Sequence, residues 1–335
     1  MKKMKKIRLS DLKEFSVKSL IAAGLSEEDA NTAAEALVTT DTFGVLTHGT
    51  KNLNQYIQKM AAGGLDAKAE PKIVCEGPAF AIIDGMKAIG MVSACKAMKL
   101  AIKKAKQTGI AYVGVKNSCH FGAAGYYANL AASEGLLGIS VSNAEPVIAV
   151  PNGRSIFLDI ALSNVAALKV IMAKEKGQEI PDTWLVDDEG MPTTDTSLFP
   201  KNASLQPMGA HKGYGLAVLV EILASVMTGA GILSEIASWN LDLSSTNNAG
   251  HAFIAIDISK MMPEDVYEAR INQMANELRS APKAKGKDRI FLPGEMEWEK
   301  REKVLAAGEL ELTDAMADSL LDLSARNGIE VKIYE

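Results

Sequence analysis

The chain contains four histidines, and each lies within two residues of a glycine. Imidazole exchanges a proton near neutral pH, which makes histidine the most frequent acid or base in enzymes. Glycine permits the close backbone approaches that ligand-binding loops need. One loop histidine is more often an ordinary surface residue, but the repetition favours proton-transfer chemistry in glycine-lined turns. The four residues are His48, His120, His211 and His251.

A lysine flanked by glycines indicates a second kind of chemistry. Lys212 lies between Gly209 and Gly213, just before a strongly apolar helix predicted over residues 214–228. The free N–H groups and positive end of such a helix, together with the ammonium group, suit a pyrophosphate. A plain helix start after a glycine-rich turn is the alternative interpretation.

The sequence lacks the motifs of several other chemistries. No G-x-G-x-x-G follows a predicted strand, and no P-loop, H-E-x-x-H or G-x-S-x-G motif occurs. We therefore expect neither a standard Rossmann fingerprint, nor a serine nucleophile, nor a bound metal.

Composition narrows the class of protein further. A net charge of −5 without a concentrated basic block argues against nucleic-acid binding. No stretch approaches 18 uninterrupted apolar residues, so no membrane span is expected, and the N-terminus does not resemble a signal peptide. The odd count of cysteines, without C-x-x-C spacing, indicates reduced thiols and a cytoplasmic location.

An α/β scaffold must position the candidate residues. Residues 1–70 show helical patterns and no strand pattern, whereas strands and helices alternate from residue 71 onward. The charged part from residue 295 is again helical. We predict an α/β domain over residues 71–294 and a helical domain of residues 1–70 joined by residues 295–335.

Polar segments follow two of the predicted strands. His120 comes after the apolar run 110–115, and Asn143 and Glu145 follow the strand 137–141. Ligands of open α/β sheets gather at the carboxyl ends of strands, so a site is expected here. Glu145 alone is more simply interpreted as a solvated loop carboxylate.

Several stretches together resemble the malate/L-lactate dehydrogenase family that is unrelated to the Rossmann-type enzymes. That family also includes ureidoglycolate and sulfolactate dehydrogenases and diketogulonate and piperideine-carboxylate reductases. The resemblance runs in family order from about residue 10 to residue 305. The matching stretches are 47–49 with Tyr56, 117–127, 158–163, 192–195, 211–216, 250–253 and 292–298.

This resemblance implies a homodimer with a non-Rossmann, mixed-sheet cofactor domain and a mainly helical domain. It implies His48 as the proton donor to the substrate oxygen, with His120 and Glu145 as further catalytic residues. Asn52, Tyr56 and Asn143 are expected to contact substrate. NAD, or alternatively NADP, is the implied cofactor. Its expected contacts are Ser163, His211, Lys212, Gly213, Pro293, Gly294 and Glu295.

Two departures from the family pattern stand out. Asn52 occupies a position where an arginine suited to a substrate carboxylate is common, and Phe43 replaces another frequent arginine. A family segment that contains a strand and lines the nicotinamide is missing between Gly153 and Arg154.

The predicted activity is therefore interconversion of a small 2-hydroxy acid and its 2-keto acid, with malate/oxaloacetate or lactate/pyruvate as the leading pairs. One alternative is reduction of a cyclic imine acid or a sugar-derived keto acid. Another is a binding protein that has lost catalysis, which the missing segment motivates.

Replacing Lys212 with alanine should weaken cofactor binding without unfolding the protein. The loss should be larger at low salt, because screening already weakens the ammonium–phosphate attraction at high salt. Titration of the cofactor at several salt concentrations measures this. An unchanged dissociation constant at every concentration would place the phosphates elsewhere.

Overall fold

Twelve strands form three sheets in the computed structural model, which describes residues 4–143 and 146–335. The strands are β1 (Lys5–Arg8), β2 (Lys72–Gly77), β3 (Phe80–Asp84), β4 (Ile110–Ser118), β5 (Leu136–Ser142), β6 (Pro146–Val150), β7 (Ile156–Asp159), β8 (Leu185–Asp187), β9 (Pro192–Thr193), β10 (Ala203–Leu205), β11 (Ala249–Asp257) and β12 (Glu309–Leu312).

Ten α-helices surround the sheets within the described residues. They are α1 (Leu9–Ala22), α2 (Glu27–Thr42), α3 (Leu53–Ala61), α4 (Gly90–Thr108), α5 (Ala124–Ser133), α6 (Ala167–Glu175), α7 (His211–Glu221), α8 (Glu264–Ser280), α9 (Glu295–Ala307) and α10 (Asp314–Asn327). A π-helical turn, Ile222–Val226, continues α7. No helix in the described part of the chain has the length and apolar content needed to cross a bilayer.

The central sheet has seven strands in the order β2-β3-β4-β11-β5-β6-β7. Only β3 and β4 are parallel, and α4 makes the crossover between them. Strand β11 lies between β4 and β5 and runs antiparallel to both. The carboxyl ends of β4 and β5 therefore meet the start of β11 at one edge. This mixed sheet, with helices packed on it, confirms the predicted α/β class.

Helices cover both faces of the central sheet. On one face, α4 and α5 pack alanine-rich surfaces against alternate residues of β4 and β11, among them Val113, Val115 and Phe253. On the other face, the helix formed by α7 and the π-turn packs through Val220 and Ala224. Tyr112 of β4 donates a hydrogen bond to the Leu223 carbonyl there (2.8 Å). This alternation follows from the two-residue period of a strand.

The two ends of the chain share one core. Strand β1 pairs antiparallel with β12, and α1, α2, α3 and α10 bury leucines and alanines together. The expectation of purely helical segments at both ends was therefore wrong for β1 and β12, which are short, charged strands that show no apolar run. The division into residues 1–70 with 295–335 and 71–294 stays a prediction.

The chain passes directly from β6 to β7 through a tight hairpin. Val150 pairs with Ile156, and residues 151–155 form the turn. The family segment expected at this place has no counterpart, and β6 and β7 pair directly without it.

Candidate active site

A cleft of about 420 Å³ opens at the sheet edge where β4 and β5 end. Three histidines, from the loop before α3, the end of β4 and the start of β11, contribute to its wall. His251 lies inside β11, so its predicted turn-like setting was wrong. The lining residues are His48, His120, Phe121, Gly122, Ser142, Asn143, Leu233, Ile236, Ala237, Ser238, Trp239, Asn247, Ala249 and His251.

His120 is held as a neutral imidazole. Its Nδ1 lies 2.5 Å from the Tyr56 hydroxyl and 3.5 Å from the Gly122 backbone nitrogen. A backbone N–H can only donate, so this long contact favours the tautomer in which Nδ1 accepts and Nε2 carries the proton. Burial, reinforced by His48 and His251, lowers the pKa of His120 to about 3. At neutral pH this side chain therefore offers a hydrogen-bond donor without charge.

Aromatic rings fix the plane of His120. Trp239 stacks on the imidazole with centroids 4.2 Å apart and planes 11° apart, and it also stacks on Tyr56 at 5.4 Å. Trp239 comes from a loop outside the recognised motifs, so its contact with His120 could not be predicted from the sequence.

His48 lies 5.5 Å from His120, ring centre to ring centre. Its Nδ1 is 2.9 Å from the Thr47 hydroxyl. Burial lowers the pKa of His48, while the Asp159 carboxylate acts in the opposite direction. The Asp159 carboxylate also accepts a hydrogen bond from the Gly125 nitrogen (3.1 Å). Asp159 lies in the motif stretch 158–163, but sequence reasoning selected only Ser163 from it.

Hydrogen bonds to Asp41 hold the turn that carries His48. The buried Asp41 carboxylate accepts hydrogen bonds from the Thr50 nitrogen (3.0 Å) and hydroxyl (2.6 Å). Its other oxygen lies 1.8 Å from where a Cβ on Gly49 would be, so only glycine fits there. Burial raises the pKa of Asp41 to about 7.

A second cavity of about 340 Å³ adjoins the first at His48. Asp159 and two residues of the predicted cofactor set, Pro293 and Gly294, line it. Gly294 approaches the Phe157 ring so closely that a Cβ would lie 2.5 Å from it. His48 thus lines both cavities.

The remaining predicted cofactor residues lie outside both cavities. His211 and Lys212 are exposed in the first turn of α7, and Gly213 packs against the Met208 carbonyl, where a Cβ would be 1.7 Å away. The Ser163 hydroxyl donates to the Val165 carbonyl (2.9 Å). Glu295 accepts from the Leu292 nitrogen and pairs with Arg279 and Arg289. Glu295 therefore stabilises the turn before α9.

The three residues expected to contact substrate, Asn52, Tyr56 and Asn143, lie in different surroundings. Tyr56 acts on His120, as described above. The Asn52 amide donates to the Thr47 carbonyl (2.8 Å) and does not line the cleft. Asn143 lines it, while its amide oxygen accepts from the Gly250 nitrogen (2.6 Å). Glu145 lies outside the described residues. Within the described residues, no group of three or more possible metal ligands is present.

We expect the His120 ring to remain neutral at pH 5, protonated on Nε2. The low pKa, about 3, and the donors facing Nδ1 predict this tautomer. Nitrogen-15 NMR of histidine-labelled protein, assigned with a His120→Gln variant, measures both properties. An imidazolium signal for His120 between pH 5 and 6 would contradict the prediction.

Comparison with known proteins connects this site to a family. The family model described as malate/L-lactate dehydrogenase matches residues 7–157 and 147–321. Malate dehydrogenase of Pyrococcus abyssi is 33% identical, covering 97% of this chain and 96% of its own. Ureidoglycolate dehydrogenase (NAD(+)) of Escherichia coli is 31% identical, covering 94% and 95%. The structure of sulfolactate dehydrogenase from Methanocaldococcus jannaschii superposes with a TM-score of 0.90 at 30% identity, covering 97% and 98%.

The same comparisons bear on the missing segment. The alignment with the Pyrococcus abyssi protein spans 354 positions, more than the 335 residues of this chain, so that relative contains residues absent here. The two matches to the family model overlap at residues 147–157, which form the β6–β7 hairpin. Motifs, fold and site geometry agree with this match over nearly the whole chain, and the protein therefore belongs to the malate/L-lactate dehydrogenase family.

Proposed function

We propose that this protein is an NAD(P)-dependent oxidoreductase that interconverts a small 2-hydroxy acid and its 2-keto acid. The observation that carries the proposal is the position of His48 between two adjoining cavities. A hydride transfer needs two ligands in contact and a proton donor that reaches the reacting oxygen.

The residues around the second cavity fit a nicotinamide dinucleotide. Pro293 and Gly294 line this cavity together with His48. Outside it, the first turn of α7 presents the exposed Lys212, whose ammonium group suits phosphates. The reduced nicotinamide, when bound, supplies the hydride. NAD is favoured by the name of the Escherichia coli relative, and NADP is the alternative.

The chain's own residues handle the proton and the charge. As hydride reaches the carbonyl carbon, negative charge develops on oxygen, and the His48 imidazolium donates its proton there. Asp159 stabilises that imidazolium against the effect of burial. His120 donates a neutral hydrogen bond from Nε2 to the substrate, and Tyr56 keeps this tautomer in place. In the oxidation direction, neutral His48 accepts the hydroxyl proton.

Replacing His48 with alanine should lower kcat by roughly 10²–10⁴-fold, because a positioned acid is lost. Cofactor affinity, measured by quenching of nicotinamide fluorescence, should stay nearly unchanged. In the wild type, kcat/KM for reduction should fall as pH rises through a pKa below the ordinary histidine value of 6.5. The His48→Ala variant should not show this fall in kcat/KM.

Steady-state assays of 2-keto acids with both reduced cofactors test the proposed function. Near-normal turnover by His48→Ala would remove His48 from the mechanism. A wild type that binds cofactor but reduces no 2-keto acid would favour the binding-protein alternative, which the β6–β7 hairpin motivates. Turnover of cyclic imine acids or sugar-derived keto acids alone would favour the other alternative.

We also propose that the protein is a homodimer. The helix formed by α7 and the π-turn exposes a row of apolar side chains, a feature that is unusual on a monomer surface. A second copy with the same apolar row would cover it in an isologous contact. The exposed residues are Tyr214, Leu216, Val218, Leu219, Ile222 and Val226.

We further propose a cytoplasmic location. It is supported by the three cysteines, Cys75, Cys95 and Cys119, which are free thiols.

Replacing Val226 with aspartate should yield a monomer in sedimentation velocity, because an unpaired charge in an apolar contact opposes association. Leu321→Asp is the matched control, since Leu321 is also an exposed apolar residue but lies on α10. Dissociation by both variants, or by neither, would contradict the assigned interface.

A further inference from the structure

The wall of the cleft opposite the sheet edge comes from one segment, residues 233–239. Leu233, Ile236, Ala237, Ser238 and Trp239 all line the cleft. Four of these five side chains are apolar. A ligand that reaches past the histidines therefore meets hydrocarbon and an indole ring.

Helix α3 anchors the chain that directly follows this segment, residues 240–245. Lys59, which is fully buried, donates hydrogen bonds to the carbonyls of Asp242 (2.7 Å) and Ser245 (2.8 Å). Gln55 donates to the Asn240 carbonyl (3.0 Å). Since α3 also carries Tyr56, the same helix positions His120 and the apolar wall. The shape and polarity of the wall are thus built into the fold.

No lysine or arginine side chain lines the cleft among the described residues. The buried Lys59 ammonium lies behind the segment and is directed to backbone carbonyls. The ionisable groups of the lining are three histidines, and burial lowers the pKa of all three. Among the described lining residues, protonated His48 is the one cation, and it lies at the 2-keto acid end of the substrate, whose oxygen it protonates. A second carboxylate at the other end of the substrate would face an apolar wall without a cationic partner. Burying an unpaired carboxylate is strongly unfavourable.

We infer that the substrate is a 2-keto acid with a single carboxylate and an apolar side chain, which packs against Ile236 and Trp239. This inference rests on the proposed function and adds the class of substrate to it. Oxaloacetate, with its second carboxylate, is then a poor substrate, even though several relatives are malate dehydrogenases by name.

Two substrates of equal shape test the inference. The compound 4-methyl-2-oxopentanoate carries two methyl groups where oxaloacetate carries two carboxylate oxygens. The wild-type enzyme should show a kcat/KM at least about tenfold higher for the methyl compound, because only its side chain can be desolvated without a partner. A higher value for oxaloacetate would overturn the inference while leaving the proposed function intact. If no 2-keto acid is reduced with either cofactor, the proposed function itself fails, and this inference with it.

Two variants test whether the discrimination between these two substrates arises in the cleft. Ile236→Arg places a cation in the wall and should shift the ratio of kcat/KM values toward oxaloacetate by about tenfold, through a charge-assisted hydrogen bond. Leu241→Arg adds the same charge nearby at an exposed position outside the cleft, so it should shift the ratio by less than about threefold at 0.15 M salt. Equal shifts of the kcat/KM ratio in the two variants would show that the wall formed by residues 233–239 does not contact the side chain of the substrate. The wild-type comparison remains decisive if Ile236→Arg does not fold.

Discussion

The antiparallel placement of β11 between β4 and β5 is the constraint on which the site depends. It brings the ends of two strands and the start of a third to one edge, so that His120, Asn143 and His251 share a cleft. Gly250 makes this arrangement possible, because a Cβ there would lie 1.9 Å from the Ala224 carbonyl on the covering helix. His251 in turn lies with Nε2 3.1 Å from the Cys119 carbonyl, next to His120. The central strand therefore supports both the covering helix and the chain that carries the candidate catalytic group.

The electrostatics of the cleft come mainly from burial and only secondarily from paired charges. Aromatic rings surround His120, so its imidazole stays neutral, whereas His48 faces Asp159 and can exchange a proton. Two histidines 5.5 Å apart thus acquire different chemical properties from their surroundings. The same removal of water that lowers the pKa of both histidines also makes an unpaired ligand charge costly, so the proposed proton transfer and the proposed ligand selection would have one physical origin.

Much of this architecture could be predicted from the sequence. The apolar runs 110–115 and 137–141 identified β4 and β5. Three of the four glycine-adjacent histidines do line the cleft. Strands β1, β2 and β12 were missed because they are short or exposed and carry no clear alternation, and β8, β9 and β10 because each has only two or three residues. Strand β6 was missed although its residues form a short apolar run. The roles of Trp239 and Lys59 could not be predicted, since both act through contacts between segments about 120 and 180 residues apart in the chain. Asp159 was within a motif, but only its electrostatic effect on His48 in the folded chain suggests the role that we propose for it.

The β6–β7 hairpin shows how chain length can change in a packed enzyme. Strand β7 is the last strand of the sheet, so its far side has no further strand to keep in register. The turn 151–153 borders two more cavities, of about 740 and 390 Å³, which residues of α8 and of α2 respectively also line. Residues can be removed or added at such a turn without shifting any buried strand, because the flanking pair Val150 and Ile156 fixes the register on either side. The margin of the sheet is where members of this family can diverge in length while the interior keeps its pattern.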